Sequence, residues 1–78
     1  VATVRVYVDL KPSLLDSAGR TVAQSLHGLG YGDVHSARIG KVITLELEDP
    51  SEDRVKAMCE QLLANTVIED YRFEVVSA

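Results

Sequence analysis

Aromatic and sulfur-bearing side chains are scarce in this sequence. Its 78 residues include no Trp, one Phe, three Tyr, one Met and one Cys. With Cys59 alone, no disulfide can form within the chain. A Cys/His zinc site is excluded as well, because His27 and His35 are remote from Cys59 and fall on different predicted elements. A lone cysteine in so short a chain fits a reducing compartment better than a secreted one. Cations are outnumbered, eight Lys plus Arg against twelve Asp plus Glu, for a net charge of −4 and a pI near 4.9. Nucleic-acid affinity needs clustered cations that release counterions, so this charge balance argues against a phosphate-backbone ligand. No apolar run approaches the roughly 20 residues of a membrane-spanning helix, and no charged-then-apolar leader is visible. These absences predict a cytoplasmic protein that meets neither membrane nor nucleic acid.

What is present is one domain, residues 1–78. A domain of this length hides only about 60–65% of the surface its unfolded chain exposes. With no disulfide and no metal to staple it, extra buried area is expected from association, at least as a homodimer.

Thr3 to Leu10 alternates strictly, with Val4, Val6, Val8 and Leu10 on one face of a strand that Pro12 ends. Leu15, Ala18, Val22, Leu26 and Leu29 recur at helical spacing and predict a helix from about Asp16 to Leu29, stopped by Gly30 in a left-handed conformation. Val34 to Ile39 reads as a second strand, Gly40-Lys41 as a turn, and Val42 to Glu48 as a third strand. Asp49-Pro50-Ser51-Glu52 predicts a helix start, with Asp49 as cap, Pro50 in the first turn and Glu52 reaching back. Val55, Met58, Cys59, Leu62 and Leu63 form its buried stripe, Asn65 a left-handed stop, and Val67 to Val76 the last strand. The order β-α-β-β-α-β predicts an α+β ferredoxin-like sandwich, an antiparallel four-stranded sheet with two helices on one face. The outer face would carry charged residues interleaved with Tyr7, Val42 and Ile68.

Candidate chemistry is thin. Gly28-Leu29-Gly30-Tyr31-Gly32 lacks the G-x-G-x-x-G spacing and follows a helix, whose C-terminal end repels phosphate. Cys59 lies on an apolar stripe beside Glu60, an anion that raises a thiol pKa, and reads as core. Glu69 and Asp70 are consecutive strand residues that point to opposite faces and cannot share a proton or a metal. Neither histidine has a partner at an interpretable spacing. No catalytic, cofactor or metal residue is predicted. The fold leaves a small-ligand-binding regulatory module open as the alternative function, because such sites are interfacial and weakly marked.

One resemblance runs the length of the chain. Met58 through Val75 resembles the C-terminal signature of PurS, the small subunit of phosphoribosylformylglycinamidine synthase. Val4-Arg5-Val6-Tyr7-Val8 is similar to that family's first strand, and Leu15-Asp16-Ser17-Ala18-Gly19 to its Leu-Asp-Pro-x-Gly turn. Ala23 to Tyr31 resembles its first-helix end, and Val34 to Lys41 its central hairpin. Ser17 departs from the usual proline, and Thr66 from the proline often found after the Asn. The resemblance implies a non-catalytic accessory subunit, a homodimer or larger, that joins a glutaminase (PurQ-type) and an ATP-dependent synthetase (PurL-type). The assembled enzyme converts formylglycinamide ribonucleotide (FGAR) to the amidine (FGAM) with glutamine-derived ammonia. ATP and Mg would be used by the synthetase, and this chain would bind no cofactor.

Two segments are the expected partner contacts. The turn bearing Arg38, Gly40 and Lys41 presents two cations in an acidic chain, and the stretch with Asn65, Glu69, Asp70 and Tyr71 runs from the helix stop into the last strand. Connecting segments on a rigid sheet are common places for binding groups.

Overall fold

The structure, a computed structural model, describes residues 1–77. Alternation in the first segment is realised as strand β1 (Ala2–Leu10), in which Val4, Val6 and Val8 are fully buried while Arg5 and Asp9 are exposed. β1 is the central strand. It pairs antiparallel with β2 (Gly40–Leu47) on one side and β3 (Glu69–Ser77) on the other, giving the order β2-β1-β3. Val4 faces Leu45 and Val75 across the two ladders, and Val6 faces Ile43 and Phe73, so one sheet face is apolar from edge to edge.

Helix α2 (Glu52–Met58) continues into a π-helical turn at Cys59–Leu63, and together they cover that face. Val55, Cys59 and Ala64 close the core over Val4, Val6 and Val8. The π turn explains the one stripe residue that is exposed. Its wider turn, closed by the Ala64 N–H donating to the Cys59 carbonyl at 2.9 Å, retards the rotation of successive side chains. Leu62 therefore leaves the stripe and is 83% exposed, while Leu63 stays packed.

Among the described residues the expected fourth strand is absent, so the sheet has three strands and the observed order is β-α-β-α-β. Residues 34–39 form no ladder, and several of their polar groups are engaged elsewhere. The Ile39 N–H donates to Asp16 Oδ2 at 2.7 Å, the Val34 carbonyl meets the His27 ring, and Arg38 reaches into the loop after β1. Gly40 is no turn but the first residue of β2, opposite Asp9, where a Cβ would run into the Asp9 carboxylate and the Val8 carbonyl.

Helix α1 (Ser17–Gly28) is bounded as its sequence demands. Asp16 caps it, accepting from the Gly19 N–H at 2.8 Å. At the other end Gly30, at φ 104°, lets the Gly30 and Tyr31 N–H groups donate back to His27 and Leu26 at 3.0 Å each, a Schellman stop. Yet α1 contributes no side chain to the core. Leu15, Val22 and Leu29, expected inside, are 70%, 41% and 74% exposed. The molecule extends 47 × 26 × 14 Å with a radius of gyration of 15.7 Å, against about 11.5 Å for a compact chain of this length.

Two smaller expectations are corrected. The cap of α2 is Ser51 rather than Asp49, whose carboxylate accepts instead from the Ser51 N–H at 3.1 Å, and no side-chain bond reaches back to the cap. Asn65 is not left-handed, since only Gly30 has positive φ among the described residues. It forms a turn, its side chain accepting from the Val67 N–H at 3.2 Å and its carbonyl from Ile68 and Glu69 at 3.0 and 2.7 Å.

The Leu-Asp-x-x-Gly stretch has a physical meaning that can be tested. Gly19 packs so tightly on the Ala37 carbonyl that a Cβ would overlap it. Gly19→Ala should therefore destabilise by about 1–3 kcal/mol, although alanine favours a helix interior by nearly 1 kcal/mol. Ser17 is the first helical residue and follows Asp16 at φ −100°, ψ 92°, a conformation a following proline accepts. Ser17→Pro should raise stability by about 0.4–1 kcal/mol. Urea denaturation followed by circular dichroism measures both.

Candidate functional site

Both sequence-predicted contact segments arrive at one end of the sheet. The ladders set Gly40 and Asp70 on either side of Asp9, and Glu69 opposite Leu10. The loop leaving β1 at Lys11 lies between them. Its Lys11 N–H donates to the Ile68 carbonyl at 2.9 Å, and Lys11 Nζ pairs with Asp70 Oδ1 at 3.0 Å. Asp9 and Asp70, directly opposite across a ladder, would repel, and the Lys11 ammonium offsets this. The result is a sheet end that carries both signs, with Lys41 opposite Val8 on one face and Asp9, Asp70 and Lys11 gathered at the next rung.

Not every predicted residue is free there. Arg38 donates from Nη1 to the Leu14 carbonyl and from Nη2 to the Lys11 carbonyl, both at 3.0 Å. Its guanidinium thus ties the β1–α1 loop to the segment before β2. Glu69 is half-buried and accepts from the Asn65 N–H at 2.7 Å, closing the turn into β3. Tyr71 donates to Glu60 Oε2 at 2.8 Å, and that bond, ahead of burial and the Glu60 charge, pushes its pKa up to about 12. Lys41, Asn65 and Asp70 are exposed. Asp9 and Lys11 were missed from sequence. Their signal was the pairing register, which brings the end of β1 between two distant segments.

Asp16 holds the adjoining junction. Buried at 7% exposure, its carboxylate accepts from both Ile39 and Gly19 N–H groups, and these bonds, Ile39 first, lower its pKa. On the outer sheet face Tyr7 donates to Glu74 Oε1 at 2.7 Å, and the Arg72 guanidinium lies 4.1 Å from the Tyr7 ring centroid. Val42, beside Tyr7 in the ladder, is 57% exposed.

Such groups can dock but are poorly placed to react. Cys59 is fully buried, and burial, then the Glu60 charge, pushes its thiol pKa up, the reverse of what a nucleophile needs. The phenols of Tyr7 and Tyr71 are held protonated by carboxylate acceptors. Among the described residues, no group of three His, Cys, Asp or Glu side chains converges as a metal site, and no helix is long and apolar enough to cross a membrane.

Comparison with known proteins gives one consistent result. The family profile described as PurS, phosphoribosylformylglycinamidine (FGAM) synthase, matches residues 3–77. The chain is 53% identical over 75 residues to the phosphoribosylformylglycinamidine synthase subunit PurS of Bacillus subtilis (strain 168), covering 92% of this chain and 89% of that one. The crystal structure of B. subtilis PurS superposes with a TM-score of 0.88 at 52% identity, over 96% of this chain and 98% of the other. A chain of the PurLQS structure from Thermotoga maritima matches with a TM-score of 0.83 at 29% identity, over 96% of both chains. The α+β fold, two helices with an antiparallel sheet, is shared with these PurS structures. With a family match over residues 3–77 and a relative at 53% identity, the chain belongs to the PurS family of FGAM synthase subunits.

Proposed function

We propose that this chain is the non-catalytic small subunit of FGAM synthase, which holds a PurQ-type glutaminase and a PurL-type, ATP-dependent synthetase together. The observation that carries this is the match, over 96% of both chains, to a chain of the PurLQS structure of T. maritima. The chemistry of the site agrees with it. Ammonia is mostly protonated near neutral pH and is then no nucleophile, so glutamine-derived ammonia must pass between two active sites with water excluded. An adaptor meets that need through shape and surface charge alone. In this reading the chain is one domain that acts as a homodimer in the cytoplasm. It binds no cofactor, and ATP and Mg are used by the synthetase.

The docking surface is the sheet end that bears Lys41, Asn65 and Asp70, with Arg38, Gly40, Glu69 and Tyr71 holding its shape. Arg38→Glu is a poor probe of docking, because it strands carbonyls of the β1–α1 loop and should cost about 1–3 kcal/mol of stability. Lys41→Glu with Asp70→Lys reverses exposed charges and should change stability by under about 1 kcal/mol. With purified synthetase and glutaminase subunits, that double variant should lower glutamine-dependent FGAM formation about tenfold or more. Synthesis by the synthetase from added ammonium salt should be unaffected. Wild-type levels of glutamine-dependent turnover would remove the sheet end from the interface.

The chain alone should neither hydrolyse glutamine or ATP nor form FGAM. Steady-state assays of the isolated subunit, against the three-subunit mixture, check this. Turnover above a mock preparation would overturn the non-catalytic assignment.

A further inference from the structure

We infer that the loop joining β1 to α1, residues 11–16, is a strut between α1 and the docking end, through which Asp16 and Arg38 position Lys11 and its partner Asp70. The strut rests on the docking surface proposed above and adds to it the residues that set its geometry. Lys11-Pro12-Ser13-Leu14 is a turn, closed by the Leu14 N–H donating to the Lys11 carbonyl at 2.9 Å, with Pro12 at the second position that a turn favours. None of these four residues is buried, so no core contact fixes the turn. Its place is set by polar groups on either side.

On one side, the consecutive residues Arg38 and Ile39 hold the loop at two points. Arg38 donates to the Lys11 and Leu14 carbonyls at 3.0 Å each, so its fork spans the first and last residues of the turn. A planar guanidinium makes both bonds in one fixed geometry, which a lysine cannot. The Ile39 N–H donates to Asp16 Oδ2 at 2.7 Å, while Asp16 Oδ1 accepts from the Gly19 N–H at 2.8 Å. One carboxylate, 7% exposed, therefore joins the loop, the first turn of α1 and the root of β2.

On the other side the same loop meets the start of β3, and Lys11 belongs to both sets of bonds. Its carbonyl is held by Arg38 and Leu14, its N–H by the Ile68 carbonyl and its ammonium by Asp70. The Lys11–Asp70 pair is solvated, with side chains 37% and 59% exposed, and an ion pair of that kind holds weakly by itself. Its place therefore follows the backbone at Lys11, and that backbone follows Arg38 and Asp16. Displacing Lys11 would leave Asp9 and Asp70 facing each other across the ladder without the cation that offsets them. The docking end would then present a different charge to its partner, although no residue on it had changed.

Amide hydrogen exchange of the full chain, followed residue by residue by NMR, tests this. Asparagine has one acceptor oxygen where Asp16 has two, so Asp16→Asn releases either Gly19 or Ile39. Exchange at the Lys11 amide should quicken about tenfold or more, while Val4, Val6 and Val8 stay within about twofold of wild type. Loss of a helix cap alone would loosen α1 and leave Lys11 as it was. Arg38→Lys keeps the charge, loses the fork and should act on Lys11 in the same way. Affinity for the purified synthetase and glutaminase subunits, measured by titration, should fall about fivefold or more in both variants. If Asp16→Asn fails to fold or loosens every amide alike, Arg38→Lys is read in its place. Wild-type exchange at Lys11 in both variants, or uniform loosening in both, would overturn the strut. Lys41→Glu with Asp70→Lys tells the strut from the docking surface. Undiminished affinity in that double variant overturns the docking end itself. Affinity lost there but kept in Asp16→Asn overturns the strut's part in docking alone.

Discussion

Everything in this molecule hangs on the apolar face of β1. Val4, Val6 and Val8 are the contact on which the other elements converge: β2 and β3 flank them, and α2 with its π turn covers them. A small domain has room for one such line of fully buried side chains, and here it is supplied by nine consecutive residues at the start of the chain. The two ladders then decide function as well as stability. Their register places residues 40 and 70 on either side of residue 9, and so assembles a docking end from three separate segments.

Much of this was legible in the sequence where the signal was strictly local. The period-two pattern from Thr3 to Leu10 named the central strand's inner face, and Asp16 and Gly30 bracketed α1 because capping is decided within a few residues. The misreadings share a different cause. Residues 34–39 had enough apolar members to suggest a strand, but Asp16 and His27 claimed their polar backbone groups first. The π turn moved Leu62 out of a stripe that ideal helix geometry would have kept whole.

For the site, the two candidate segments were found from charge and position, but their proximity was not. Asp9 and Lys11 carry no motif, and only the pairing of β1 with both neighbours gives them a role. Arg38 shows the opposite error. A cation beside a glycine suggested an exposed contact, whereas its planar guanidinium suits backbone carbonyls at two places in one loop and is spent there. Sequence reports which groups exist. Which of them remain available depends on what the fold has already bound.

The central strand is also the first to be synthesised, and this has a consequence for how the protein is made. β1 comprises residues 2–10, and one of its two neighbours, β3, comprises residues 69–77. That ladder pairs segments far apart in sequence, so its loop-closure entropy is large. Nascent β1 must wait for β3 to leave the ribosome before its second edge is covered. Until then Val4, Val6 and Val8 sit on a strand with an open edge, the kind of segment that pairs with the wrong neighbour. The charged residues on the strand's other face, Arg5 and Asp9, would then help keep an unfinished chain from joining another, a task that ends once β3 arrives.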